Sequence, residues 1–303
     1  MFAASVIVVT LTFPARALRW RVLLGAAVQG RPRLHPVWLA TAIGFMANNV
    51  LPARAGEVAR AYAGARLVGL PMSTALSTIA VERVFDGVVV VLMLAIGIAA
   101  PGFPANVQLK GVGIQTIAAS MGALFVVALA VLALAAHYPE RALGIGDRLV
   151  HRLLPRKAAD IATKLLRNLF AGLSVLRSGR DFARVLGWSV VVWGINVISY
   201  NLAFAAFHLP GVPLSASLVL QWIVVLGVAV PSAPGFVGLF EAAVIAALAI
   251  YGVPGDTAFG FSVALHMSWF IPITVLGVWA LVRAGMSFGD LGSRREGGGA
   301  APA

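Results

Sequence analysis

The chain has 303 residues, of which 60% are hydrophobic and only 11% are charged, and its formal net charge is +12. Soluble domains carry about 25% charged residues, so this composition indicates an integral membrane protein and excludes an ordinary soluble enzyme. Lys and Arg accumulate in the cytoplasmic loops of membrane proteins, so the positive charge reports orientation and predicts no nucleic-acid partner. The chain has no cysteine, which excludes disulfides, thiolate catalysis and Cys-bound metals.

The first predicted helix is short. Residues 1–15 are apolar, but a bilayer span needs about 20 such residues, so we expect a tilted helix or one that begins before this chain. A basic cytoplasmic loop is expected to follow it, made of Arg16, Arg19, Arg21, Arg31 and Arg33.

The next apolar segment, residues 37–51, is also too short to span and stops at Pro52. Basic residues on both flanks place both ends on the cytoplasmic side, which predicts a re-entrant hairpin broken at Pro52 and Gly56. Residues 72–99 are long enough to cross the membrane and carry Glu82, Arg83 and Asp86.

The middle of the chain contains one span and the most basic segment. Residues 101–113 form a loop that we expect outside, residues 114–136 span back, and residues 137–181 are cytoplasmic by charge. Within that segment, apolar residues recur at helical spacing at Ile161, Leu165, Leu169, Leu173 and Leu176. This helix lies either in the membrane interface, touching anionic lipid, or on the floor of the bundle.

The second half repeats the arrangement of the first. Residues 185–207 span, residues 214–230 end in a break, residues 236–251 contain Glu241, and residues 257–282 span again. The break residues of this second hairpin are Pro231, Pro234 and Gly235. The tail, residues 285–303, is rich in glycine and is expected to be disordered.

A short repeat supports this division, because Gly69-Leu70-Pro71 precedes one span and Gly252-Val253-Pro254 precedes another. The predicted fold is therefore an all-α polytopic membrane protein with five to six spanning helices and two Pro-interrupted re-entrant hairpins in an inverted repeat. Residues 1–284 form one integral-membrane domain, with repeat halves at 1–99 and 182–283. Interrupted segments in matching positions of two halves indicate a binding site at the bilayer midplane.

Three groups of residues resemble the signature of the lysylphosphatidylglycerol synthase transmembrane, or flippase-like, family. They are Asn49, Pro52, Arg54, Gly56, Glu57 and Arg60; then Glu82, Arg83 and Asp86; and last Pro231, Pro234, Gly235, Gly238 and Glu241. The resemblance runs from about Arg16 to Arg283. It implies a multi-pass inner-membrane protein with two re-entrant hairpins. Bifunctional members are linked to moving a modified phospholipid between leaflets, and others to hopanoid, glycolipid or polyprenyl-lipid pathways.

This sequence departs from the family pattern in two ways. The family usually has one further helix before the one that begins here, and its bifunctional members carry a soluble aminoacyl-transferase domain that does not follow in this sequence. The resemblance therefore gives no support to lysine transfer onto lipid.

The candidate substrate-binding residues are the polar groups of the two broken segments and of the span between them: Asn49, Arg54, Glu57, Arg60, Glu82, Arg83, Asp86 and Glu241. Arginine suits bidentate recognition of phosphate, and the carboxylates could balance charge, bind an ammonium group or carry protons. Glu82 and Asp86 share one helical face, so we expect an arginine from another segment between them. The alternative is a structural ion-pair network that pins hairpin to helix.

No enzyme signature, cofactor motif or metal-ligand cluster accompanies these charges, and we expect a non-enzyme. His266 occupies the position of Arg83 in the repeat, and we expect it to be packed and hydrogen-bonded. The leading hypothesis is a translocase of the inner membrane that moves a phospholipid, hopanoid or polyprenyl/glycolipid between leaflets through a polar cleft at the midplane. Its expected partner is a membrane lipid with an anionic or phosphate-bearing headgroup. The alternatives are an accessory subunit of a lipid or polysaccharide enzyme, or a membrane-embedded transferase.

Overall fold

The computed structural model describes residues 1–28, 30–52, 55–104, 107–109, 111–209, 211–229 and 233–292. Its helices are α1 (Phe2–Thr10), α2 (Thr12–Val28), α3 (Leu34–Val50), α4 (Gly56–Val68), α5 (Met72–Ala99), α6 (Ile114–His137), α7 (Pro139–Leu153), α8 (Arg156–Gly172), α9 (Gly179–Ala206), α10 (Ala216–Ala229), α11 (Leu239–Ala249), α12 (Gly255–Arg283) and α13 (Phe288–Gly292). Two 3₁₀ turns cover Leu173–Arg177 and Pro234–Phe236. A two-residue ladder pairs β1 (Gln108–Leu109) with β2 (Val112–Gly113).

Four stretches among the described residues are long and apolar enough to cross a membrane: Phe2–Val28, α6, α9 and α12. Helix α5 has 28 residues, which is also enough to span, but it carries Glu82, Arg83 and Asp86. The predicted all-α polytopic membrane fold is confirmed. The apolar helices of the second broken segment, such as α10, are shorter than these spans.

The prediction of a basic loop after residue 15 is wrong for Arg16, Arg19 and Arg21. Helix α2 continues through all three positions to Val28, and the side chains of Arg16 and Arg19 are 9% and 0% exposed. With α1 it forms one crossing of 27 residues, interrupted only at Leu11. The first span is thus longer than its apolar run, and buried carboxylates on α5 pair with Arg19 inside the bundle.

The two broken segments are helix pairs, α3 with α4 and α10 with α11. The first break lies after Val50, where Pro52 cannot continue the backbone hydrogen bonding of α3, and the chain re-enters a helix at Gly56. The second break contains Pro234 and Gly235, whose φ of 68° needs a residue without a β-carbon. Pro231 lies outside the described residues.

The repeat extends further than its short sequence match. Helix α4 begins at Gly56 and α11 at Leu239, and α5 begins at Met72 and α12 at Gly255, so both later helices start 183 positions after their counterparts. Each broken pair also has a close contact between its two helices, and the glycines at these contacts are equivalent positions of the repeat. A β-carbon on Gly44 would meet the Arg60 side chain, and one on the residue 183 positions later, Gly227, would lie 2.8 Å from the Ala243 β-carbon.

Each broken pair packs across the molecule onto the other unit. Helix α3 contacts α12, and α10 contacts α5. The second helix of each broken pair instead packs within its own unit, α4 on α5 and α11 on α12. The first spans of the two units, α1 with α2 and α9, pack on each other. These particular contacts keep the same pattern when the two units are swapped, whereas α2 also packs on α5 without a comparable packing of α9 on α12 among the described residues. The opposite orientation of the units across the bilayer stays a prediction.

The basic segment forms a helical hairpin of α7 and α8. One helix supports the floor of the bundle, and the other supports the membrane interface. Helix α8 packs on α5 and α2, and Leu173 and Leu176 just beyond it are buried, which favours a bundle floor. Helix α7 instead exposes an apolar stripe at Ile145, Leu149 and Leu153. Such a stripe beside arginines is typical of a helix in the membrane interface. The side chains of Ile161, Leu165 and Leu169 lie outside the described residues.

The tail differs from the expectation at its start. Residues 288–292 form α13, which begins with Ser287 hydrogen bonds to Asp290 and contacts α4. Residues 293–303, the rest of the predicted disordered tail, lie outside the described residues.

Candidate functional site

A cavity of about 180 Å³ lies where the two broken pairs meet the long helices. Its polar lining comes from both halves of the chain: Arg16, Asn48, Asn49, Glu57, Arg60, Arg83, Asn196, Ser199, Gln221 and Ser268. Its apolar lining includes Phe13, Phe45, Trp193, Phe236 and Trp269. The cavity therefore offers hydrogen bonds and charge inside a protein that is otherwise apolar.

The two breaks are neighbours beside this cavity, as the sequence predicts. Helix α3 contacts the turn Pro234–Phe236, and a β-carbon on Gly235 would lie 3.3 Å from the carbonyl oxygen of Asn49. The Asn49 amide donates to Thr274 Oγ1 at 3.0 Å and to the Phe270 carbonyl at 3.3 Å, which ties the first break to α12. Asn48 accepts from the Gly56 amide at 2.9 Å, closing the break on its other side.

Phe236 follows with a φ of 61°, which is rare for a residue with a side chain. The strain positions an aromatic ring in the wall of the cavity. Strained residues of this kind persist where the surroundings fix them, and they concentrate at functional sites.

Glu82 is the centre of a buried ion-pair network. Arg60 from α4 donates to both of its oxygens, at 2.9 and 3.0 Å, and Arg19 from α2 lies 2.9 Å from Oε1. The Arg60 guanidinium also lies 4.1 Å from the centroid of the Trp20 ring. Glu82 and Arg19 are fully buried and Arg60 is 3% exposed, so α2, α4 and α5 are joined by charges that water does not reach.

Asp86 extends the network one turn along α5. It accepts from Arg19 Nη1 at 2.5 Å and from the Trp193 indole at 2.8 Å, and Arg83 lies 3.4 Å away. Arg83 also donates to Glu82 at 3.1 Å. The expected arginine from another segment is Arg19, because it binds both carboxylates.

The network and the cavity are adjacent but not the same. Glu82 and Asp86 are buried beneath the cavity, whereas Arg60, Arg83 and Glu57 line it. Arg83 is 35% exposed and its Nε lies 3.5 Å from Glu57. The carboxylates of α5 therefore hold the arginines, and the arginines face the open space.

Arg16 is the exception among these arginines. Its side chain is 9% exposed, and its guanidinium lies 5.0 Å from the Phe45 ring and 5.1 Å from the Trp193 ring. Within the part of the chain that the structure describes, it has no hydrogen bond and no carboxylate within ion-pair distance. An unpaired buried charge is costly, so this arginine indicates a place for an anion.

Gln221 provides a second unsatisfied group. It is 2% exposed and lines the cavity, and its side-chain oxygen accepts no hydrogen bond from any described residue. Buried acceptors are rarely left unpaired. The cavity thus combines a cation with an open acceptor, which suits a ligand that carries both an anionic group and a hydroxyl or amine.

Glu241 occupies a separate site on the second broken pair. One of its oxygens accepts from the Gly238 amide at 2.7 Å at the start of α11, and the other lies 2.5 Å from His266 Nδ1. His266 is fully buried, as expected, and its Nε2 lies 2.9 Å from the Gly235 carbonyl. A carbonyl only accepts, so Nε2 carries a proton and the ring closes the second break. Glu241 is not among the residues that line the cavity.

The structure thus gathers Asn49, Glu57, Arg60 and Arg83 at the cavity, whereas Glu82, Asp86 and Glu241 are not part of its lining. Arg54 lies outside the described residues. The sequence interpretation missed Arg16 and Arg19 as site residues. One signal was available: the two are three apart, so they share a helical face, and the apolar run before them is too short to span without them.

The fold and cavity define a multi-pass membrane protein with two interrupted helix pairs around a polar pocket. The chain belongs to the family described as the lysylphosphatidylglycerol synthase TM region, which it matches over residues 1–277. No solved structure matches this chain.

Two curated relatives are similar to this chain over most of its length. A UPF0104 membrane protein from Methanothermobacter thermautotrophicus is 26% identical over 293 residues, covering 92% of this chain and 82% of that protein. The Glycosyltransferase AglD of Haloferax volcanii is 25% identical over 266 residues, covering 80% of this chain. The match spans only 42% of AglD, so that protein contains a large part with no counterpart in this alignment.

Proposed function

We propose that this protein moves a lipid with a phosphate-bearing headgroup between the leaflets of the inner membrane, and that the cavity holds the headgroup in transit. The observation that carries the proposal is Arg16, a buried guanidinium that faces the cavity without an anionic partner among the described residues. Guanidinium binds phosphate through two parallel hydrogen bonds. The proposal assigns transport and no bond-making chemistry.

The charge of the site supports a single anionic group. Four arginines and three carboxylates lie in or beneath the cavity: Arg16, Arg19, Arg60, Arg83, Glu57, Glu82 and Asp86. Among the described residues this leaves one positive charge in excess, which one phosphate diester would neutralise. The Gln221 oxygen would then accept from a hydroxyl or ammonium on the same headgroup.

The size of the cavity supports a headgroup as the ligand. About 180 Å³ is too small for a whole lipid, so acyl chains would stay in the bilayer while the polar end enters. The phosphate is expected to exchange between Arg16 and the partly exposed Arg83 as it passes the two breaks.

Arg16→Gln provides the test, in proteoliposomes that carry a headgroup-fluorescent phosphatidylglycerol quenched by dithionite. A hydrogen-bonded charge contributes about 1.5–3 kcal/mol, so we expect transport to fall at least about tenfold. Thermal stability in detergent should stay the same or rise, because a buried unpaired charge is removed. Arg66→Gln is the control, since Arg66 is exposed and lies outside the cavity.

The proposal fails if Arg16→Gln transports at the parent rate, or if transport falls only in proportion to folded protein. The similarity to part of AglD favours a second candidate, a membrane subunit that works beside a glycosyltransferase. In that case, purified protein alone would show no lipid movement, and a glycosyltransferase would co-purify from the native membrane.

A further inference from the structure

A second cavity lies at the end of the bundle where α2 finishes and α9 begins. Its volume is about 540 Å³, and its lining is Leu18, Arg21, Val22, Gly25, Ala26, Gly30, Arg31, Asp181, Arg184 and Trp188. It shares no lining residue with the cavity between the two breaks. Arginine-rich segments converge at this end, which charge bias assigns to the cytoplasm.

The backbone after α2 is folded so that its arginines converge. The Gly30 amide donates to the Gly25 carbonyl at 3.0 Å, and a β-carbon on Gly25 would lie 2.8 Å from the Gly30 carbonyl oxygen. Arg21 Nε donates to the Pro32 carbonyl at 2.7 Å, which fixes both the turn and the arginine. Arg31 is thereby brought to the cavity that Arg21 lines.

Helix α9 provides the opposite wall. Arg184 lines the cavity and pairs at 3.0 Å with Asp181, which is the one carboxylate that the described residues contribute to the lining. Three guanidinium groups therefore face one carboxylate, an excess of two positive charges. The remaining walls are apolar and include Leu18 and the ring of Trp188.

We propose that this cavity binds the phosphate of an anionic lipid from the cytoplasmic leaflet, with the arginines holding the phosphate and the apolar wall covering the first carbons of the chains. Arginine forks suit phosphate, and basic pockets between membrane helices on the cytoplasmic side suit lipid headgroups. The site is distinct from the transport cavity and does not depend on the transport proposal.

The test compares two double variants by native mass spectrometry of delipidated protein titrated with dioleoyl phosphatidylglycerol or phosphatidylcholine. Arg31→Gln with Arg184→Gln removes two lining charges. Arg33→Gln with Arg180→Gln removes two exposed charges from the same segments outside the lining. Two cations near a lipid phosphate together change the affinity by about tenfold or more. We therefore expect the Kd of the most tightly bound phosphatidylglycerol to rise by that factor in the first variant and to stay unchanged in the second. Phosphatidylcholine binding should not change.

Three further outcomes are decisive. Equal weakening in both variants, or none in either, would overturn the site. If millimolar inorganic phosphate displaces the lipid from the parent protein and has no such effect in the first variant, the anion site stands, but its ligand is a soluble phosphate compound. Repeating the titration in Arg16→Gln separates the two cavities, because the site proposed here should keep its phosphatidylglycerol even if the transport proposal fails.

Discussion

The two units of the repeat share a backbone plan but differ in charge. In the first unit, α5 carries Glu82, Arg83 and Asp86, all bound to arginines or to each other. At the positions 183 residues later, α12 carries Leu265, His266 and Trp269. The single acid of the second broken pair is Glu241, whose partners among the described residues are its own helix start and His266.

This difference indicates a division of roles. Arginine remains charged at any physiological pH, so the first unit holds a permanent electrostatic framework. In the second unit, a single acid pairs with His266, whose ring stacks between Phe240 and Trp269 with ring centroids 4.5 and 5.1 Å away. The first unit is therefore expected to fix the site, and the second to adjust the break at Gly235 that adjoins it.

The largest expected effect comes from breaking the first-unit network. Arg19→Gln would take from Glu82 and Asp86 the fully buried one of the two arginines that contact both, and would leave only Arg83 shared between them. Removing one partner of a buried pair costs about 3–5 kcal/mol, so the free energy of unfolding should fall by that amount. Unfolding in detergent against a denaturant series measures it.

Arg16→Gln is the matched control for that variant, because Arg16 lies one turn earlier on the same helix and has no ion pair among the described residues. If both variants lose the same stability, the distinction between a structural and a ligand-binding arginine is lost. The contrast between the two units would weaken with it.

An intermediate effect is expected at the close contact that both units share. A β-carbon on Gly44 would overlap the Arg60 side chain, whereas one on Gly227 would approach Ala243 at 2.8 Å. Overpacking costs about 1–3 kcal/mol, and Gly44→Ala should cost more because Arg60 is held by Glu82. Thermal unfolding in detergent compares the two variants.

The second unit allows a compensation that the first does not. Gly227→Ala combined with Ala243→Gly moves one methyl group across the same contact, so stability should return close to that of the parent. No return would show that the two units do not share this packing geometry, despite their common register.

The smallest expected effect on stability is at Glu241. In Glu241→Gln, the amide oxygen can still accept from Gly238 and the amide nitrogen can donate to a neutral His266, so stability should change by less than about 1 kcal/mol. Lipid movement in proteoliposomes should nevertheless fall if the charge of this pair adjusts the second break. Glu241→Ala is the comparison, and it should lose stability as well. Equal stability losses for the two would show that the charge itself holds the break.

The sequence predicted those parts of the fold that depend on local signals. Pro52 with Gly56, and Pro234 with Gly235, stand between apolar runs that are too short to span, so both hairpins could be located, although Pro272 lies inside α12 without ending it. Arg19 could not be placed, because its partner Asp86 is 67 positions away and no periodicity links the two. From sequence alone, an arginine after an apolar run is interpreted as a loop residue, because the distant carboxylate that pairs with it is not evident.

The unpaired state of Arg16 was equally out of reach. It depends on which faces of α2, α3 and α9 meet, since Phe45 and Trp193 flank the guanidinium from two other helices. Composition could predict that a polar site exists in the membrane, but only the packing shows which cation is left over for a ligand.

The crosswise packing of the two units bears on how the protein is made. Helix α3 finds a major partner in α12, which is synthesised only after helices α4 to α11. Until then the first hairpin lacks this partner, and contacts this distant in sequence form slowly. We therefore expect an insertase or chaperone to shelter the incomplete protein, and a chain that stops before α12 should be a substrate for membrane quality-control proteases.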